Sequence, residues 1–201
     1  MDNTSKRTRK LVEIGMLGAV AGLLMVFELP LPFIAPPFYK IDISETAVLI
    51  GAFALGPSAG ALIELIKIFI NLLLNGTQTA FVGEIGNYMI GCSFIVPAAW
   101  IYKKHKSKRN ALIAMSIGTL FMTLVGCFIN AYLLLPAYSA AFGMSLDQIV
   151  DFGTAVNGGI HDIKTFVLIA VAPFNLLKGI VVSGITALTY KHISPILKRH
   201  L

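Results

Sequence analysis

The chain has 201 residues and a formal net charge of +6, and 56% of its residues are hydrophobic while only 13% are charged. With a mean hydropathy of +0.80, this composition excludes an ordinary soluble globular domain. The apolar residues form long blocks and not amphipathic stripes, which predicts an all-α membrane protein. We expect one integral membrane domain over residues 1–201, a bundle of six transmembrane helices. The predicted spans cover about residues 11–28, 46–55, 61–74, 82–102, 111–135 and 166–188.

The first apolar block follows a basic N-terminal arm and continues to about Leu29 without a small-residue cleavage motif. We therefore expect a retained helix and not a signal peptide. Its Gly15-x-x-x-Ala19 and Gly18-x-x-x-Gly22 spacings permit the close approach of another helix. Packing inside the protein and docking of a partner both remain open at this point.

The connection over residues 29–45 contains four prolines and is rich in Phe and Tyr. Prolines this close together are incompatible with a helix, so an extended and fairly stiff segment is predicted. Its aromatic side chains suit either a cover over a cavity or a belt at the membrane interface.

The second and third spans are separated by GPSAG, and both are short for a bilayer that needs about 20 helical residues. In the third span, Glu64, Lys67 and Asn71 share one helix face. We favour a structural ion pair between Glu64 and Lys67 over direct contact with a ligand.

The fourth span places Glu84, Asn87 and Gly91 on one side, with small residues that leave room for a neighbour or a flat ligand. The fifth span is apolar except for small hydroxyl groups and Asn130. It is predicted to end at Pro136.

The longest polar connection covers residues 137–164. Ser145 is a suitable N-cap, which predicts a short surface helix after it. His161 and Asp162 have no nucleophile or metal-ligand spacing nearby, so we interpret them as solvated loop residues and not as catalytic ones.

The sixth span carries Asn175 and Lys178 about one helical turn apart, with Pro173 near the predicted helix entry, where a missing N–H costs least. A lysine inside a membrane costs roughly 2.5–3.5 kcal/mol on insertion scales, so a compensating group is expected. A structural carboxylate such as Glu84 and the acceptor edge of a bound ligand both remain candidates.

Amides dominate the polar residues within the predicted spans, and they suit the polar edge of a neutral heterocycle. The spans contain no histidine relay, no ring of like charges and no nucleophile–base pair, and the chain has no P-loop. Cys92 and Cys127 suit small packing positions. The residues alone therefore predict either a binding protein for a flat, polar-edged solute or a structural role for the amides between helices.

The basic residues fall on one side of the predicted membrane: four in the N-terminal arm, five between Lys103 and Arg109, and three in the tail at Lys191, Lys198 and Arg199. The positive-inside rule then places both termini in the cytoplasm and the connections 29–45 and 137–164 outside. Topology explains the positive charge, so no nucleic-acid partner is expected.

Several stretches resemble a known family and together cover nearly the whole chain. They are FYKIDISE leading into TAVLIGAFALGPSAG, then ELIKIFINLLLNG, GNYMIG and PFNLLKGIVVS. They resemble the riboflavin-binding S components of energy-coupling factor (ECF) vitamin transporters. The resemblance implies a non-enzymatic subunit in the plasma membrane that binds riboflavin, with FMN as an alternative ligand, and that needs no metal or cofactor. The implied partners are a transmembrane coupling subunit, which would dock on the small-residue face of the first span, and two ATPase subunits.

The resemblance also implies a ligand site, covered by the first outward connection. The ligand-binding residues it implies are Asn130, Asn175 and Lys178. To these we add Asn87, and Asp42 and Glu45 from the connection. An S component for another vitamin is the first alternative. A membrane protein outside the ECF transporters, such as a channel or a membrane enzyme, is the second.

Overall fold

The computed structural model describes residues 3–198, with side chains described for residues 4–189. The predicted basic tail extends beyond this range, because Arg199 and the side chains of Lys191 and Lys198 lie outside the described residues. The fold is almost entirely helical. The helices are α1 (Asn3–Met25), α2 (Ser44–Leu55), α3 (Pro57–Asn75), α4 (Val82–Lys104), α5 (Lys108–Ile129), α6 (Leu135–Phe142), α7 (Leu146–Val156), α8 (Ile163–Phe166) and α9 (Ala172–Lys198).

Four continuous helical stretches in the described part of the chain are long and apolar enough to cross a membrane. They are Pro57–Asn75, Val82–Lys104, Lys108–Phe142 and Ile163–Thr189. They correspond to four of the six predicted spans, and Ser44–Leu55 is a shorter apolar helix. The helical membrane class is therefore confirmed, whereas the count of six spans stays a prediction.

Helix α2 is short, and it is enclosed by the rest of the protein. It packs against α1, α3, α4 and α9, and most of its residues are buried. Leu49 and Phe53 belong to the main core, where the Phe53 ring stacks on that of Tyr102 with centroids 4.2 Å apart. A helix that is apolar all round is expected where neighbours cover every face.

The small residues of α1 divide between two roles. Gly18 and Gly22 pack directly against the side chains of Ile66 and Ile70 on α3. Gly15, by contrast, has no atom within 4 Å of where a Cβ would stand. Packing inside the protein thus accounts for one of the two small-residue pairs.

The prediction that Pro136 ends the fifth span is wrong, because α5 and α6 are joined without a break by a π-helical turn, Asn130–Leu134. Pro173 is likewise not at a helix entry. It lies inside a continuous helix from Ile163, just after a second π-helical turn, Val167–Val171. Proline lacks an N–H and its ring crowds the preceding turn. A widened turn before each proline provides the room, and the helix continues.

The connection between α1 and α2 is not helical, as predicted, but it is extended only in two short strands, and turns between them fold it back onto the bundle. Strand β1 (Leu29–Pro30) pairs antiparallel with β2 (Lys40–Ile41). Phe38 and Tyr39 then pack against a second core cluster built from α6–α9. This placement favours a cover over a cavity and not an interfacial belt.

The connection between α6 and α9 contains the predicted short helix. Ser145 caps α7, and its hydroxyl and the Gln148 side chain form a capping box. Asp162 caps the last long helix through Thr165, and His161 is exposed. The short helix after Ser145 and the solvent exposure of His161 and Asp162 are confirmed.

Candidate functional site

A cavity of about 400 Å³ lies between the α1–α2 connection and the helices α3, α4, α6, α7 and α9. Its size lies within the range of about 300–1,000 Å³ that is usual for small-molecule sites. One side of the cavity is aromatic. The aromatic lining residues are Phe38, Tyr39, Tyr138, Phe142, Phe152 and Phe174.

The aromatic side is held together by ring contacts between distant parts of the chain. The Phe38 ring lies 4.9 Å from that of Tyr39 and 5.2 Å from that of Tyr138, measured between centroids. The Tyr39 ring also lies 5.5 Å from that of Phe174. The connection over residues 29–45 thus supplies one wall of the cavity and is anchored to α6 and α9.

The remaining lining is rich in amides, and it includes two lysines. The amide residues are Asn71, Asn75, Gln78, Asn87 and Asn175, and the lysines are Lys40 and Lys178. Amides donate and accept hydrogen bonds through the same group, so this surface can match alternating polar atoms on the edge of a heterocycle.

The Asn175 side chain depends on a glycine for its position. Its Nδ2 donates to the backbone carbonyl of Val171 at 3.0 Å. A Cβ at Gly126 on α5 would stand 2.8 Å from this nitrogen. Gly126 therefore leaves the space that the buried amide occupies.

Lys178 is compensated by carboxylates from the N-terminal part of the chain. Its Nζ lies 3.4 Å from Glu45 Oε1 and 3.7 Å from Asp42 Oδ2. Burial by itself would raise the pKa of Asp42, but Lys178, Lys67 and two hydrogen bonds from Ser44 outweigh it and lower that pKa. Asp42 is therefore ionised at neutral pH.

Glu84, the carboxylate named as one candidate partner of Lys178, does not pair with it, and Asp42 and Glu45 take that place. Glu84 instead accepts a hydrogen bond from Thr79 Oγ1 at 3.0 Å. The predicted pair of Glu64 and Lys67 is confirmed, with 2.7 Å between Oε1 and Nζ.

The pair of Glu64 and Lys67 belongs to a larger buried ion cluster. Lys67 Nζ also lies 3.0 Å from Glu45 Oε1, so Glu45 joins the two lysines. A side chain at Gly91 on α4 would collide with the Glu64 carboxylate. We call Asp42, Glu45, Glu64, Lys67 and Lys178 the buried ion cluster.

Asn130 lies behind the aromatic wall. It is fully buried, its Nδ2 donates to Gly126 O at 2.8 Å, and its Oδ1 accepts from Tyr39 Oη at 2.5 Å. Burial raises the pKa of the Tyr39 phenol well above its ordinary value, which keeps its proton in place for this bond. Asn130 thereby fixes a residue of the cover.

Three of the six predicted ligand-binding residues, Asn87, Asn175 and Lys178, line the cavity. Asn130, Asp42 and Glu45 lie one layer behind it and contact lining residues.

Sequence reasoning missed Tyr138, Phe142 and Phe152 as lining residues. The available signal was the presence of three aromatic residues in or beside a connection expected to be polar. The cysteines Cys92 and Cys127 are free, and among the described residues no cluster suited to a metal ion occurs.

Comparison with known proteins identifies a family over most of the chain. A family model described as "ECF transporter, substrate-specific component" matches residues 9–190. The riboflavin transporter RibU of Staphylococcus aureus (strain TCH60) is 31% identical over 194 residues, covering 96% of this chain and 95% of that protein. The riboflavin transporter FmnP of Bacillus subtilis (strain 168) is 30% identical and covers 94% of both chains.

A solved structure gives a similar result. It is described as "Structure and mechanism of the S component of a bacterial ECF transporter", and it superposes with a TM-score of 0.75 at 30% identity. The match covers 96% of this chain and 99% of that chain, so it extends over the cavity and every helix around it.

Proposed function

Because the chain belongs to the substrate-specific components of ECF transporters, we propose that it is the riboflavin-capturing subunit of such a transporter. The observation that carries this proposal is the cavity, in which an aromatic wall faces amides and a lysine. A flavin has a flat ring system with a polar edge, and it would use both sides. Aromatic contacts of this kind contribute about 0.5–1.5 kcal/mol each beyond the area they bury.

We assign the six predicted residues to two layers. Asn87, Asn175 and Lys178 would contact the ligand, because they line the cavity. Asn130 would hold Tyr39 in place, and Asp42 and Glu45 would orient and neutralise Lys178. Side chains fixed in this way before binding lose little conformational entropy when the ligand arrives.

The finer architecture is part of the same proposal. We place the chain in the plasma membrane as a bundle of six transmembrane helices with both termini in the cytoplasm, as the distribution of basic residues favours. The cavity then opens outward. The protein would have no enzymatic activity, resident cofactor or nucleic-acid partner, and energy would come from a coupling subunit and two ATPase subunits. The exposed Gly15 on α1 leaves a face on which the coupling subunit could dock.

Purification from cells grown with riboflavin tests the proposal directly. We expect a yellow protein with a flavin absorption spectrum, and ligand-free protein should quench the fluorescence of added riboflavin. An Asn175→Ala, Lys178→Ala double variant should bind at least tenfold more weakly, since it removes two polar groups from the lining. Lys164→Ala, which changes an exposed lysine of α8 outside the cavity lining, is the matched control and should bind normally.

These experiments distinguish an error in the proposed function from an error in the assigned binding residues. A colourless protein that also fails to quench riboflavin would overturn the function, and binding of a different vitamin would then support the neighbouring branch of the family. Unchanged riboflavin binding in the double variant would refute only the assignment of Asn175 and Lys178.

A further inference from the structure

One charged side chain of the cavity lining has no partner of opposite charge. Four charged side chains line it: Glu28, Lys40, Glu84 and Lys178. Lys40 Nζ lies 2.5 Å from Glu28 Oε1, and Lys178 is paired with the carboxylates behind it. Among the described residues, Glu84 has no cation within 4 Å, and its hydrogen bond comes from the neutral hydroxyl of Thr79. Glu84 is thus the uncompensated charge of the lining.

Glu84 lies at the outer end of the cavity. It is in the first turn of α4, which begins at Val82, next to the turn that carries Gln78 and Thr79. Gly91, which touches the buried ion cluster, follows seven residues later on the same helix. At a rise of 1.5 Å per residue, this separation is about 10 Å.

The two ends of the cavity offer different chemistry. The inner end, beside Asn175 and Lys178, combines amides with the aromatic ring of Phe174 and suits a flat heterocycle. The outer end presents Gln78, Thr79 and Glu84, which can hydrogen-bond a polyhydroxyl chain. Lys40 also lies at this end, where its Nζ donates to Gln78 Oε1 at 3.1 Å and is paired with Glu28. A flavin bound ring-first would therefore bring the end of its sugar-alcohol chain towards Glu84.

We propose that Glu84 is a specificity-determining residue that favours a flavin with a free hydroxyl chain over the same flavin carrying a terminal phosphate. This inference rests on the proposed function. A phosphate monoester carries about −1.5 to −2 charges at pH 7. Lys40 and Lys178 already face carboxylates, so neither offsets the repulsion from Glu84. A hydroxyl group can instead donate a hydrogen bond to the same carboxylate.

The test compares the dissociation constants of riboflavin and FMN by fluorescence quenching in the wild-type protein and in Glu84→Gln. The wild type should prefer riboflavin. The substitution should reduce this preference by roughly fivefold, which is the factor that Coulomb's law gives for such charges about 8 Å apart in water. Added salt should weaken the preference in the wild type and have little effect in Glu84→Gln.

Two further variants make the result decisive. Glu13→Gln changes the net charge equally but lies on α1, outside the cavity lining, and should leave the preference unchanged. Glu84→Asp keeps the charge and should keep the preference. An identical ratio of the two dissociation constants in Glu84→Gln and the wild type would overturn the inference, and so would an equal loss of affinity for both ligands. Failure of the wild type to bind riboflavin would instead overturn the proposed function.

Discussion

Replacing Lys67 with Met should destabilise the protein more than any other removal of a single charge in the α3 region. Lys67 is fully buried, and its Nζ lies 2.7 Å from Glu64 Oε1 and 3.0 Å from Glu45 Oε1. Lys67 is the cation within 3.0 Å of both carboxylates, so the substitution leaves Glu45 and Glu64 without this buried partner. Removing one partner of a buried ion pair costs about 3–5 kcal/mol, because the remaining charge stays buried and uncompensated.

This cost corresponds to a fall in Tm of roughly 10 °C for a chain of this size. Thermal unfolding of the protein in detergent, followed by circular dichroism, measures it. Arg9→Met is the matched control, because it breaks an i,i+4 pair with Glu13 in which the Arg9 side chain is 59% exposed. Such surface pairs contribute about 0.3–0.5 kcal/mol. Equal Tm values for the two variants would refute the reasoning.

Two further substitutions test the lining and its support. Phe38→Ala should increase the riboflavin dissociation rate by about tenfold, since it removes a ring that contributes to the cover. Phe33→Ala, in the same connection but 73% exposed, should leave the rate unchanged, and equal rates in stopped-flow fluorescence would contradict the role of the cover. Gly126→Ala should weaken riboflavin binding by at least tenfold because the new methyl group displaces Asn175. Gly15→Ala, with open space around it, should bind as the wild type does in the same titration.

The helices could be predicted closely where one local signal marks their ends. Predicted span four begins at Val82, as α4 does, and spans two and three begin within four residues of α2 and α3. Gly56 lies between α2 and α3. Pro57 is in the first turn of α3, where its missing N–H costs nothing.

Pro136 and Pro173 misled the prediction because the rule for proline assumes a regular α-helix. In that geometry the ring clashes with the preceding turn, and the helix should end or kink. Here each proline is preceded by a π-helical turn, and no residue pattern before Pro136 distinguishes a widened turn from a helix end. The wrong helix end at Pro136 also affected the predicted site, because α6 contributes Tyr138 and Phe142 to the cavity wall.

The partners of buried charges were predictable only within one helix. Glu64 and Lys67 are three residues apart on α3, so helix geometry alone brings them together. The pairing of Lys178 with Asp42 and Glu45 depends on how α9 packs against α2, which no local pattern encodes. Glu84 was a reasonable alternative by composition, and tertiary packing decided against it.

The carboxylates that neutralise Lys178 also restrict the charge of the ligand that can bind beside it. Its Nζ lies 3.4 Å and 3.7 Å from the two carboxylates, outside the usual range of about 2.7–3.2 Å for N–H···O hydrogen bonds. Among the described residues, no hydrogen bond from this nitrogen occurs, although an ammonium group has three N–H donors. The charge is therefore neutralised by the protein, while the donors remain available at the cavity wall. A ligand that binds there needs acceptor atoms but no negative charge of its own, which favours a neutral heterocycle over an anionic one.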